Sequence, residues 1–291
     1  MTAVDPPGHP AALAANSLDD GPRGGDADAS LRPATLAPRF RTLRTVTALM
    51  LREMGSTYGR SPGGYLWAIL SPVGAIVVMS LAFSLLVRSP SLGTSFMLFY
   101  ATGFLPFSFY LVMSQKIGMA VRYSRPLLAY PGVTWMDAVL ARFFLNVLTE
   151  AMIFCIVMFG VFAIVDAHAV IDPMPIIVGL ALAMLTGLGV GLINCLLIGY
   201  APVWDQVWSI INRPLFIASG IFFIYEDMPP LVQNILWWNP VLHATAWVRT
   251  GFYPSYHASF VSLTYGFGVA LVMIALGMVL LRQGYRAGLQ R

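Results

Sequence analysis

The residues best able to do chemistry in this sequence are arginines set among aromatic rings. Arg52, Tyr58 and Arg60 fall in REMGSTYGRSPGGYLWAILSP, just ahead of an uncharged apolar run that opens with Trp67. A guanidinium binds phosphate or carboxylate by charge and by paired hydrogen bonds, so Arg52 and Arg60 could receive an anionic ligand or simply hold lipid headgroups. Trp67 could stack on a sugar or seat at the membrane interface. Further along, FYATGFLPFSFY brings together Phe99, Tyr100, Phe104, Phe107, Phe109 and Tyr110. Such ring faces either line a path for the apolar C–H faces of sugars or pack a helix core. A third group lies in WNPVLHATAWVR: Trp238, Asn239, Pro240, His243 and Arg249. Its polar members could tie helices together or touch a ligand.

Other chemistries lack their residues. GxxxxGK[ST], HExxH and CxxC motifs are all absent, and the one lysine, Lys116, sits in SQKIG. Glu150 stands without the carboxylate and histidine chain of a proton-driven transporter. Asp137 and Asp205 are likewise isolated, so a glycosyl-transfer site is not expected. Cys155 and Cys195 lie in apolar runs and read as small hydrophobes. No catalytic residue, resident cofactor or metal site is expected, and energy for transport would have to come from another subunit.

The elements that must position these residues are membrane helices. Hydrophobic residues make up 58% of the 291 and charged ones 10%, against about a quarter charged in soluble domains. Six runs, near 66–87, 96–116, 143–165, 176–200, 206–225 and 260–281, have the roughly 20 apolar residues needed to cross a bilayer. With both termini cytoplasmic, all but Arg88 and Arg249 of the 17 Lys/Arg residues fall inside. The net charge of +4 is explained by these flanks and implies no nucleic-acid partner.

Residues 1–38 are rich in Pro, Ala, Gly and Asp and are expected to be a disordered cytoplasmic tail. Over 39–60, Phe40, Leu43, Val46, Met50 and Met54 recur at helical spacing opposite arginines, which predicts an amphipathic helix in the interfacial plane. Gly55, Gly59, Gly63 and Gly64 would let the chain turn from it into the first span. In the 117–142 connection, Arg125, Pro126, Leu127, Leu128, Tyr130 and Pro131 form a short docking element or a plain connector. The 226–259 segment, broken by Pro229, Pro230 and Pro240, predicts short helices that dip into the outer leaflet and return.

In family order, LREMGSTYGRSPGGYLWAILSP, GFLPFSFY, RPLLAYPGVTWMDAVLAR, RPLFIASGIFF and WNPVLHATAWVRTGFY resemble the permease subunit of bacterial capsular polysaccharide ABC exporters, over about 45–285. The resemblance implies an all-α type-2 ABC exporter fold: six transmembrane helices over 61–291, an interfacial helix over 39–60, a coupling helix near 122–134 and re-entrant helices over 228–250. It implies a homodimeric inner-membrane channel for lipid-linked polysaccharide. Two cytosolic ATPases would bind ATP and Mg, and a periplasmic co-polymerase and an outer-membrane pore would continue the route. On this reading Arg52, Tyr58, Arg60 and Trp67 gate the entrance, Arg125 to Pro131 couple to the ATPase, and Trp238 to Arg249 form the outer segment. An O-antigen or teichoic-acid exporter shares the fold, and a small-molecule efflux permease fits less well.

Overall fold

The computed structural model describes residues 41–58, 64–128, 133–165 and 171–289. The expected tail at 1–38, Arg60 and its turn, and Tyr130 and Pro131 lie outside the described residues. Among the described residues the chain is helical, with no strand: α1 Arg41–Tyr58, α2 Gly64–Leu86, α3 Phe96–Gly118, α4 Ala120–Tyr123, α5 Arg125–Leu128, α6 Trp135–Ile164, α7 Pro173–Tyr200, α8 Trp204–Ala218, α9 Pro230–Leu236, α10 Pro240–Thr250 and α11 Leu263–Leu289. A 3₁₀ turn, Tyr225–Asp227, precedes α9.

Five helices, α2, α3, α6, α7 and α11, are long and apolar enough to cross a membrane. Their starts follow local capping chemistry. Ser95 accepts from Leu98 N–H at the head of α3, and Asp172 accepts from Met174 N–H ahead of Pro173 in α7. At α6 the Thr134 hydroxyl accepts from the Asp137 N–H while Asp137 accepts from the Thr134 N–H, a reciprocal capping box. That box starts α6 eight residues before the expected 143, so Arg142 stands two turns inside a helix rather than in a connecting loop.

The expected span at 206–225 is built differently from the other five. Its helix, α8, has 15 residues, or about 22 Å at 1.5 Å per residue, short of a roughly 30 Å hydrocarbon core. The remainder of the passage is the turn at 219–224. Trp204 Nε1 donates to Asn194 Oδ1 near the end of α7, whereas Asn239 Nδ2 donates to the Ala218 carbonyl. α8 therefore leads from the end where α7 finishes to the end where α10 begins.

α7 is the central post. Its GLGVG run presents Gly187 and Gly191 to α3 and Gly189 to α11. A Cβ at Gly187 would lie 2.6 Å from the Tyr110 carbonyl oxygen, and one at Gly191 2.7 Å from Ile117 Cβ. Small residues let backbones approach where lipid gives helices no hydrophobic reason to associate. α1 packs on α6, and its Val46 is buried, while Leu43, Leu51 and Met54 stay exposed. The protein-facing stripe of α1 is thus narrower than the apolar periodicity implies.

Replacing Gly187 or Gly191 by Val forces α3 away from α7, an overpacking that costs about 1–3 kcal/mol. The melting temperature of the detergent-solubilised protein should fall for either variant. Gly74→Val, with nothing within 4 Å of its Cβ position, should leave it unchanged.

Candidate functional site

Two buried arginines anchor opposite ends of the helical body, and a groove connects the regions around them. At the end where α3 finishes, Arg142 of α6 donates from Nη1 to the Lys116 carbonyl at 2.9 Å. Its Nη2 pairs with Glu53 of α1 at 3.0 Å, and its guanidinium lies 4.7 Å from the Tyr123 ring centre. Nε has no partner. Around this hub opens a cleft of about 840 Å³ lined by Glu53, Lys116, Arg122, Arg142, Asp205 and Ser209, among others. Three cations therefore face two carboxylates in a space of ordinary ligand-pocket size.

A second groove of about 440 Å³ runs between α3 and α8. Phe107, Leu111, Phe216, Ile217 and Phe222 form its walls, with Arg213 on its rim, and it shares Gln115 and Ser209 with the charged cleft. Phe216 meets Phe107, Phe104 and Phe222 at ring-centre distances of 5.2, 6.2 and 5.4 Å. Arg213 lines the apolar groove and is exposed.

At the opposite end the WNP and HATAWVR residues close a cap. Asn239 accepts from Val241 N–H, capping α10, while its Nδ2 donates to Ala218 O and Ser219 Oγ. His243, fully buried, donates from Nε2 to the Trp237 carbonyl at 2.7 Å and accepts at Nδ1 from the Ser262 N–H at 3.3 Å. This places the proton on Nε2 and ties the α9–α10 turn to the head of α11. Arg249 donates from Nη1 to Phe223 O at 3.0 Å and from Nη2 to Ile221 O at 3.1 Å, with its guanidinium 4.1 Å from the Phe99 ring centre. Gly220, at φ +71, makes the turn beneath them, a backbone region that strains any side-chain-bearing residue.

The candidate residues thus divide. Phe107 walls the groove and Phe104 packs behind it, whereas Phe99 carries Arg249 and Tyr110 is core against α7. Tyr100 packs among Phe83, Phe99 and Phe222. Arg52 and Trp67 are exposed, on α1 and α2, and neither is among the cleft's described lining. Tyr58 ends α1, and Arg125, Pro126, Leu127 and Leu128 form α5, where Arg125 and Pro126 are exposed. Trp238 is exposed at the cap, and Pro240 starts α10. The cleft cations Lys116, Arg122 and Arg142 were not singled out from sequence. The legible signal was TWMD, a capping-box pattern that puts Arg142 on a helix.

The cap predicts an acid sensitivity. Burial lowers the His243 pKa below its usual value, the hydrogen bond to the Trp237 carbonyl opposing this only partly. In acid the unfolded chain takes up a proton that the folded cap resists, so this contribution is intact above pH about 6.5 and declines below it. Melting temperature should drop between pH 7.5 and 5.5, and His243→Gln should flatten that drop while lowering stability at pH 7.5. Equal pH slopes in both proteins would remove His243 from the effect.

Comparison with known proteins places these features in a family. Residues 44–253 match the model of the ABC-2 type transporter. The chain is 28% identical over 238 residues to the polysialic acid transport protein KpsM of Escherichia coli, covering 82% of this chain and 92% of that one. It is 25% identical over 243 residues to the capsule polysaccharide export inner-membrane protein BexB of Haemophilus influenzae, covering 82% and 90%. Against CtrC of Neisseria meningitidis serogroup A, of the same description, it is 23% identical over 235 residues, covering 81% and 89%. With five long apolar helices and a family match running from α1 through the cap, this chain belongs to the ABC-2 type transporter family.

Proposed function

We propose that this chain is the channel-forming permease subunit of an ATP-driven exporter carrying lipid-linked capsular polysaccharide across the bacterial inner membrane. The observation that carries the reading is the charged cleft continuing into the aromatic groove along α3 and α8. The cations at the cleft would meet the acidic or phosphorylated end of a glycolipid. Ring faces along the groove would then offer contact to sugar C–H faces without holding any one residue strongly. Relatives whose names specify capsule polysaccharide export, each aligned over most of its length, support this cargo.

In this reading the cleft end is cytoplasmic, as are both termini, and the 228–250 segment is re-entrant at the outer mouth. Arg52 and Arg60, with Tyr58 and Trp67, act at the approach to the cleft. The groove is open on one protomer, and α2 exposes Leu66, Trp67, Leu81 and Leu85. A second copy facing it would complete the channel. ATP and Mg would be bound by two cytosolic ATPase subunits docked at the element containing α5. A periplasmic co-polymerase and an outer-membrane pore would receive the polymer.

Deleting the gene should leave polymer inside the cell and remove it from the surface, as read by antibody or lectin labelling of intact and permeabilised cells. Export at the normal level in the deletion strain would refute the assignment. Replacing Arg52 and Arg60 together by Gln should reduce surface polymer severalfold with unchanged permease abundance. Replacing Pro126 and Leu127 by Asp should weaken co-purification of the ATPase and lower transport-coupled hydrolysis. Unaltered co-purification and export would place docking elsewhere.

A further inference from the structure

The contacts of Arg142 are incomplete in an informative way. Glu53 Oε1 meets Nη2, whereas Nε has no acceptor although the side chain is only 4% exposed. Nε and Nη2 point along the same edge of a guanidinium, the edge that takes two oxygens of one carboxylate or phosphate. Arg142 lines a cleft to which Lys116 and Arg122 also contribute. Glu53 therefore half-fills a two-donor site. Its own side chain is 17% exposed, so water and ligand can reach the pair from the cleft.

We propose that the cleft walled by Lys116, Arg122 and Arg142 is a binding site for a phosphate-class anion, and that Glu53 holds the place of that anion until it arrives. A phosphate presents oxygens enough to span Nε and Nη2 together, which the Glu53 pairing at Nη2 does not. The Nη1 bond to the Lys116 carbonyl and the Tyr123 ring keep the guanidinium plane in place during the exchange. With Glu53 displaced, three cations face Asp205 alone, so the incoming charge is better balanced than the departing one. Glu53 is carried by α1, whose described buried anchor is Val46. Ligand capture thus loosens the surface helix from α6 and opens the cleft further. The inference rests on the proposed export reading for the identity of the visitor, but the exchange itself needs only an anion.

The test uses full-length permease in phosphatidylcholine nanodiscs, with amide exchange followed over 41–58. Inorganic phosphate is titrated in one arm, and phosphatidylglycerol is incorporated in the other. Faster exchange in α1 with phosphate identifies a free-phosphate ligand, and faster exchange only with phosphatidylglycerol identifies a lipid headgroup; either supports the site. Glu53→Gln, nearly isosteric, should already show the faster exchange and should bind the effective anion roughly tenfold tighter, the scale of a close charge pair removed from competition. Arg142→Lys keeps a charge but not the two-donor edge, and should weaken binding by about the same factor. Arg282→Gln, a change at an exposed arginine on α11, should alter neither reading. If neither anion changes α1 exchange, or if Glu53→Gln binds no tighter, the pair is purely structural and the proposal fails. No polysaccharide enters these measurements. An anion response in a protein that exports no polymer would overturn the cargo assignment alone, and export without an anion response would overturn the site alone.

Discussion

The cap end of this molecule depends on one buried cation held by backbone oxygen. Arg249 is 2% exposed, and a charge so placed is tolerated only where dipoles replace its hydration. Here the carbonyls of Ile221 and Phe223 and the face of Phe99 do so. The dependence is mutual, because 219–224 is not helical and its carbonyls need donors. Gly103 is where it must be for the same reason, since a Cβ there would come within 2.8 Å of Arg249 Nη2. Burial lowers the Arg249 pKa to about 10, which still leaves the group charged at neutral pH. The donors matter, since a side chain without these N–H groups would leave the Ile221 and Phe223 carbonyls stranded.

Arg142 repeats the arrangement at the other end with a different outcome. It too bonds a helix-terminal carbonyl and lies over a ring, but its remaining partner is a side chain on a separate helix rather than the backbone of a turn. A backbone carbonyl buried in a turn cannot leave without unfolding that turn. A glutamate on a surface helix can. Removing one partner from a buried pair costs about 3–5 kcal/mol, so the α1–α6 contact holds firmly until another anion takes Glu53's place. The two hubs therefore differ in mobility by construction: one is knotted into main chain, the other is latched.

Much of this was legible in the sequence. The five long spans follow from apolar run length, and the short helices α9 and α10 follow from Pro229, Pro230 and Pro240. The roles of Asn239 and Pro240 as cap and first helical residue follow from local rules. What was not legible is which face of each helix turns inward. Phe99, Phe104, Phe107 and Tyr110 are alike in sequence, and only the packing of α3 between α7 and α8 separates core from groove wall. The charged cleft was obscured for a related reason. Its members come from α1, α3, α4, α6 and α8, and no window of sequence contains more than a few of them. α8 was read as a full span because hydropathy counts the apolar residues of 219–224 without seeing that Gly220 breaks the helix.

The groove between the two hubs carries its own constraint. Its described lining contains rings, aliphatic side chains and Arg213, but no carboxylate. On the proposed reading, an acidic ligand in the groove meets no like charge in this lining. α8 contributes to this by being short: a helix of full span would present its apolar surface evenly across the bilayer, whereas a helix ending at Ala218 hands the upper wall to Phe222 of the turn. That turn is held by Arg249. The wall's upper edge is consequently as fixed as the cap itself, while the lower approach is governed by a side chain that can exchange. The two ends of the groove therefore differ in mobility, and on the proposed reading the end where Glu53 can be displaced is the one that admits an anionic ligand.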